Sequence, residues 1–237
     1  MRQAAMNPAA ANAAHPAERL AGPRGRGVLR GYWCGTLVLL AVAIILTIWY
    51  TPVHQQMGPV QKIFYFHLSV AINTFLACLT TFVAGLGYLW QRDDRWDALS
   101  ESGARAAVAL CAVVLLTGVI WAKQAWGVWW EWSSPLTFSL FLWLLYVGYF
   151  VTRRWLVSPA HRAGVSAVYG IVAFLDVPLV YVSVKVLPEQ HPTSMDLNGP
   201  MQVTLVAWML AVTLLTIGLI GTRYSLARKL AGAERAG

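Results

Sequence analysis

Hydrophobic residues along this chain fall into six long runs separated by short polar breaks. The runs cover roughly residues 32–50, 66–90, 104–122, 138–152, 164–187 and 202–222. They are long and continuous, without the short alternation of a half-buried strand. A helix needs about 20 residues to cross the hydrocarbon core of a bilayer. The fourth run is the shortest by apolar count, but its flanks from Pro135 to Phe150 extend it. The pattern predicts an all-α integral membrane fold of six transmembrane helices, with the membrane domain over 32–222. Residues 1–31 are rich in Ala, Pro and Arg and are expected to form a disordered tail. A short basic tail is expected over 223–237. The first run is too long for the apolar core of a secretory signal, and no small-residue cleavage site follows it.

Composition supports the same reading. Hydrophobic residues make up 58% of the chain and charged residues 12%, about half the charged share of a soluble domain. The net charge of +8 would suit nucleic acid if it were gathered in a patch. Instead the charges sit at the ends of the apolar runs, where the positive-inside rule accounts for them. Of the 18 Lys and Arg residues, 15 lie in the N-terminal tail, the second and fourth breaks and the C-terminus. The first, third and fifth breaks hold only Lys62, Lys123 and Lys185. Both termini are therefore expected in the cytoplasm, and those three breaks on the outer side of a bacterial inner membrane. Cys34, Cys78 and Cys111 lie within apolar runs, with no CxxC, and read as small buried hydrophobes.

The outward breaks carry the candidate chemistry. The third reads Trp121-Ala122-Lys123-Gln124-Ala125-Trp126-Gly127-Val128-Trp129-Trp130-Glu131-Trp132, with five of the chain's 12 tryptophans. An interfacial aromatic belt explains one or two tryptophans at each helix end. Five in one segment point rather to a flat apolar platform for a planar ligand. On the same side lie His67, in Lys62-Ile63-Phe64-Tyr65-Phe66-His67, and His191, in Leu187-Pro188-Glu189-Gln190-His191-Pro192. A lone loop histidine is more often a surface residue, and that alternative stays open. Two neutral imidazoles are also the axial pair of a six-coordinate haem iron. His54 rivals His67 for the first place, whereas His15 and His161 fall on the other side. Lys62 and Lys123 are candidate partners for anionic haem edges, with Glu131 beside them. Asp176, in Phe174-Leu175-Asp176-Val177-Pro178, is an ionisable group at membrane depth, where Pro178 predicts a kink.

The string Trp126-Gly127-x-x-Trp130-x-Trp132 resembles the tryptophan-rich signature of the haem-handling family that includes CcmC, CcmF and CcsA. Its context is most similar to the CcmC branch, the haem exporter C proteins. Thr117-Gly118 leads through Trp121-Ala122-Lys123 to the motif, and Leu136-Thr137 follows. Gln61-Lys62-Ile63-Phe64-Tyr65-Phe66-His67 is similar to the approach to the family's first haem histidine. Asp176-Val177-Pro178, then Ser183-Val184, is similar to the approach to the second, His191. The resemblance covers nearly all of 32–222, with three motifs in order.

The resemblance implies non-covalent haem b, with His67 and His191 as axial iron ligands and Trp126, Trp129, Trp130 and Trp132 as the platform. It implies haem handling for c-type cytochrome maturation rather than enzymatic catalysis. The implied partners are a CcmE-like haem chaperone, CcmA- and CcmB-like ABC transporter subunits and a small CcmD-like protein. The chain has no nucleotide-binding loop, so any ATP use would belong to a partner. Three departures stand out. Ser133-Ser134-Pro135 occupies the place of an acidic and a basic residue, Lys185-Val186 that of a tryptophan pair, and Leu68-Ser69 that of a proline. Two other readings compete: a CcsA-like synthetase subunit, which would bring further intramembrane histidines, and a small transporter or quinone-binding subunit centred on Asp176.

Overall fold

The computed structural model describes residues 23–55, 58–186 and 196–234. The expectations placed on 1–22, 56–57, 187–195 and 235–237, including those for His15 and His191, lie outside the described residues. Helix α1 spans Pro23–Ile45 and continues as a π-helical turn over Leu46–Tyr50. A 3₁₀ turn, Pro59–Gln61, leads into α2, Lys62–Gln91. Then come α3 (Asp94–Trp126), α4 (Ser134–Trp155), α5 (Pro159–Phe174), α6 (Asp176–Val186) and α7 (Gly199–Glu234). Among the described residues there is no strand, only an isolated antiparallel pairing of His54 with Gly58. Six segments are long and apolar enough to cross a membrane, with α5 and α6 forming one of them. The chain is a multi-pass helical membrane protein.

The helices outrun the apolar stretches that announce them. Hydropathy marks only what lipid must cover, whereas backbone hydrogen bonding continues wherever a cap allows. Helix α3 starts at Asp94 because Asp93 caps it, accepting from the Arg95 N–H at 2.8 Å, and Asp94 and Asp97 lie in the favourable first turn. Just before it, Arg92 ends α2 in the left-handed conformation (φ 53°), and its N–H bonds Tyr88 O at 2.8 Å. Likewise α7 runs on to Glu234 and carries Arg223, Arg228 and Lys229 on the helix itself. Where a kink is expected at Pro178, the helix is interrupted at Leu175, whose N–H closes a tight turn onto Val172 O at 3.1 Å. Proline has no N–H for the carbonyl four residues back and crowds it, so the chain restarts as α6.

Helices α2 and α3 form the central pair, and α2 also packs on α5 and α7. Small residues set these approaches. A Cβ on Gly103 would lie 2.8 Å from Thr81 Oγ1 and 3.0 Å from Ala77 O, and one on Gly85 would lie 3.0 Å from Ala167 O. Helix α1 presents most of its surface outward and is tied to α7 by polar groups. Trp208 Nε1 donates to Thr47 Oγ1 at 2.8 Å, the Thr51 and Thr204 hydroxyls pair at 2.7 Å, and Tyr32 OH donates to Leu214 O. Asn73 Nδ2 on α2 reaches Thr213 Oγ1 on α7 at 3.2 Å. Near the start of α3, buried Arg153 of α4 grips Asp97 with two bonds (2.6 and 3.0 Å) and Glu101 with a third at 3.1 Å.

Arg153→Ala strands two carboxylates that keep partial contact with solvent. The expected cost is about 2 kcal/mol, below the range for a fully buried pair. Detergent-solubilised protein should therefore show a clearly lower unfolding midpoint, and an unchanged midpoint would show that the cluster does not hold α3 to α4.

Candidate functional site

At the other end of α3 and α4 from this ion cluster, the helices part around a cavity of about 700 Å³. That volume is within the range of roughly 300–1,000 Å³ usual for small-molecule and cofactor sites. Its wall is largely apolar and comes from α2, α3, α4, α6 and α7, together with Trp130 and Leu197. The contributions follow helical stripes: Phe64, His67, Leu68 and Ala71 on α2, and Val114, Leu115, Gly118 and Trp121 on α3. Spacings of three and four place such residues on one face, one above another.

His67 is buried in this wall. Its Nδ1 lies 2.8 Å from Thr117 Oγ1. The Thr117 hydroxyl in turn lies 2.8 Å from Val113 O and 3.1 Å from Val114 O. Carbonyls only accept, so the single hydroxyl proton goes to them, and the oxygen accepts from an Nδ1–H of His67. The ring lone pair is then on Nε2, which is the tautomer a metal ligand needs. Trp121 stands edge-on to the imidazole, with ring centroids 5.7 Å apart, and Phe64 edge-on to Trp121 at 6.1 Å. A Cβ on Gly118 would come within 3.5 Å of His67 Cε1, so the glycine leaves room beside the ring.

The tryptophan segment divides between wall and surface. Gly127 ends α3 with φ 80°, a conformation suited to glycine, and its N–H bonds Lys123 O at 3.2 Å. Beyond it, Trp130 lines the cavity, and its buried Nε1 has no hydrogen-bond partner among the described residues. Trp132 packs edge-on against Trp130 at 5.5 Å yet is 74% exposed, and Trp129 is 60% exposed. Trp126 is half-buried at the last position of α3 and is not part of the wall. So of the four expected platform residues the structure brings Trp130 to His67 and leaves the others outside the cavity. Trp121, at the head of the segment, supplies the second indole of the wall.

The lysines are also redistributed. Lys62 Nζ donates to Ile48 O at 3.1 Å. Lys123 Nζ donates to Gly127 O at 2.9 Å and lies 5.6 Å from the centre of the Trp129 ring. Neither lines the cavity, whereas Lys185 does. His54 is paired with Gly58 between α1 and α2, away from the wall, and His161 is on the first turn of α5. Glu131 is exposed. Asp176 is buried at the start of α6, its Oδ2 has no hydrogen-bond partner among the described residues, and it is not a wall residue. Among the described residues no three His, Cys, Asp or Glu side chains converge. Reading the sequence at helical spacing from His67 and Trp121 would have found Thr117, the i−4 neighbour of Trp121. Nothing in the sequence alone brings Lys185 to the same wall.

Fold and site together define a class: a six-span helical membrane protein with an apolar, imidazole-bearing cavity at one end of the bundle. The family model described as Heme exporter protein C (CcmC) matches residues 15–233, and the chain belongs to that family. The Heme exporter protein C of Bradyrhizobium diazoefficiens is 30% identical over 149 residues, which cover 63% of this chain and 56% of the relative. That of Rhodobacter capsulatus is 29% identical over 140 residues, covering 58% and 57%. That of Escherichia coli K12 is 31% identical over 156 residues, covering 63% and 61%. The chain thus spans little more than half the length of the first two of these relatives.

The hydrogen-bond chain predicts the protonation of His67 in the purified protein. In ¹⁵N NMR of the ring nitrogens, wild-type His67 should carry its proton on Nδ1. Thr117→Val should shift the population toward the Nε2-protonated form, and a wild-type ring already protonated on Nε2 would contradict the assignment.

Proposed function

We propose that this chain binds haem, as non-covalent haem b, in the cavity beside His67 and hands it on for c-type cytochrome assembly. The observation that carries this reading is the meeting of three features in one place. They are an imidazole whose Nδ1 is held by the Thr117 hydroxyl, the indoles of Trp121 and Trp130, and a largely apolar cavity of about 700 Å³. Haem iron takes a neutral imidazole as axial ligand, and a porphyrin suits flat aromatic surface. Among the described residues the wall has one histidine and no converging cluster, which suits an axial bond to an iron already held by its macrocycle better than capture of a bare ion. The printed name of the relatives, Heme exporter protein C, supports the same ligand.

In this reading His191 is the second axial ligand. Lys185 and Leu197 are both described wall residues, and His191 lies between them in sequence. Trp130 lies against the macrocycle from within. Half-buried Trp126 and exposed Trp129 and Trp132 complete the platform outside the cavity, and the two exposed indoles are within reach of a receiving partner. Iron chemistry belongs to the haem, and the chain binds, orients and releases it without catalysing a reaction. The lysine and arginine bias supports a cavity end on the outer face of a bacterial inner membrane, with both tails cytoplasmic. Haem would then be presented to a CcmE-like chaperone, alongside CcmA- and CcmB-like transporter subunits and a CcmD-like small protein.

The test is the visible spectrum of protein purified in detergent from haem-replete cells. Wild type should show a Soret band, and His67→Ala and His191→Ala should each diminish and shift it. No band in wild type sinks the proposal. A band that neither substitution touches would move ligation elsewhere, with His54 the next residue to replace.

A further inference from the structure

Gly118 is a glycine that neither backbone geometry nor helix packing explains. It is in the interior of α3, where glycine is the least favourable residue after proline. The positive φ values among the described glycines belong to Gly58 and Gly127, so the backbone at 118 would accept an L side chain. No neighbouring helix needs the missing side chain either. A Cβ on Gly103 would lie 2.8 Å from Thr81 Oγ1, and one on Gly85 would lie 3.0 Å from Ala167 O, so those glycines let helices approach. A Cβ on Gly118 would come no closer than 3.5 Å to any described atom of another element, and that atom is His67 Cε1. Gly118 is also a residue of the cavity wall, so a longer side chain there would run along the imidazole into the cavity.

Three residues within about one turn of α3 frame the His67 ring. Thr117 Oγ1 lies 2.8 Å from Nδ1, Trp121 stands edge-on with centroids 5.7 Å apart, and Gly118 is beside Cε1. Cε1 is the ring atom between the two nitrogens. With Nδ1 against Thr117, position 118 borders the edge that runs from Cε1 to Nε2. We infer that Gly118 is a specificity-determining position, which by carrying no side chain keeps room at that edge of His67 for the iron-bearing face of the haem. The inference rests on the haem reading above and deepens it. An axial bond draws the flat macrocycle up to the ligating nitrogen, so bulk beside that nitrogen competes with the ring itself. A methyl group at 118 would rest in ordinary contact with Cε1. A branched side chain would reach past it, and overfilling such a site forces neighbours out of place. Gly118 touches the imidazole and not the iron, so its part is to position the bond, not to make it.

The experiment titrates the full chain, purified in detergent and freed of bound porphyrin, with ferric haem and with iron-free protoporphyrin. Haem is followed by its Soret band and protoporphyrin by its fluorescence. Gly118→Ala should keep the wild-type band position and bind haem within about threefold of wild type. Gly118→Leu should weaken haem by about tenfold or more and move the band toward that of His67→Ala. Protoporphyrin cannot bond the imidazole, so the leucine penalty on it should be smaller by at least about threefold. If the leucine variant does not fold, Gly118→Val serves the same comparison. A leucine variant with unchanged affinity and band position overturns the inference. So does an equal penalty on haem and protoporphyrin, which would make position 118 mere cavity volume. Both results leave haem binding intact. Uptake of no haem by wild type overturns the proposed function, and this assignment falls with it.

Discussion

The cavity depends on how closely α2 and α3 approach one another along the rest of their length. In lipid there is no hydrophobic drive to bring helices together, so close packing and interhelical hydrogen bonds do the work. Where Gly103 meets Ala77 and Thr81, a single methyl group would collide with backbone and hydroxyl atoms. Toward the tryptophan segment the facing residues change from Gly, Ala and Thr to Phe64, His67 and Trp121. There side chains rather than backbones meet, and the space between them is the cavity. Arg153 anchors the far end by fastening α4 to Asp97 and Glu101 on α3. One end of the α3–α4 pair is thus cross-linked by charge and the other is open to a ligand.

Six spans were legible from hydropathy because lipid imposes one unambiguous demand on sequence: a continuous apolar stretch of membrane length. Their ends were not, since Asp93 capping and the left-handed Arg92 are local backbone events that hydropathy averages away. The same division holds at the site. His67 stood out as an imidazole at the border of an apolar run, and the tryptophan segment by its density. How the segment divides between wall and surface depends on the turn at Gly127, which points Trp130 inward and leaves Trp129 and Trp132 exposed. Lys185 could not be placed at the wall from sequence at all, because its position there comes from α6 packing against α4 beside the cavity. That is a tertiary fact with no local trace.

Thr117 shows how a modest residue can fix the chemistry of a prominent one. A serine or threonine within a helix often returns its proton to a carbonyl three or four residues back, as Thr117 does to Val113. Here that local habit turns the hydroxyl oxygen into an acceptor aimed at His67, and the imidazole tautomer follows. The energetic weight of one such bond is about 1 kcal/mol. Its effect on which nitrogen faces the cavity is nonetheless all-or-none for the rotamer observed.

The interruption at Leu175 has a mechanical consequence. The fifth crossing is two rods, not one, joined by a tight turn and lacking the backbone bond that Pro178 cannot supply. Bending stiffness in a helix comes from the unbroken ladder, so compliance collects at the break. Helix α6 carries Val180, Tyr181, Val184 and Lys185 of the wall on the far side of that joint from α5. The stretch of wall on α6 is therefore hinged at a break in the backbone ladder, while the imidazole is on an unbroken helix of the central pair.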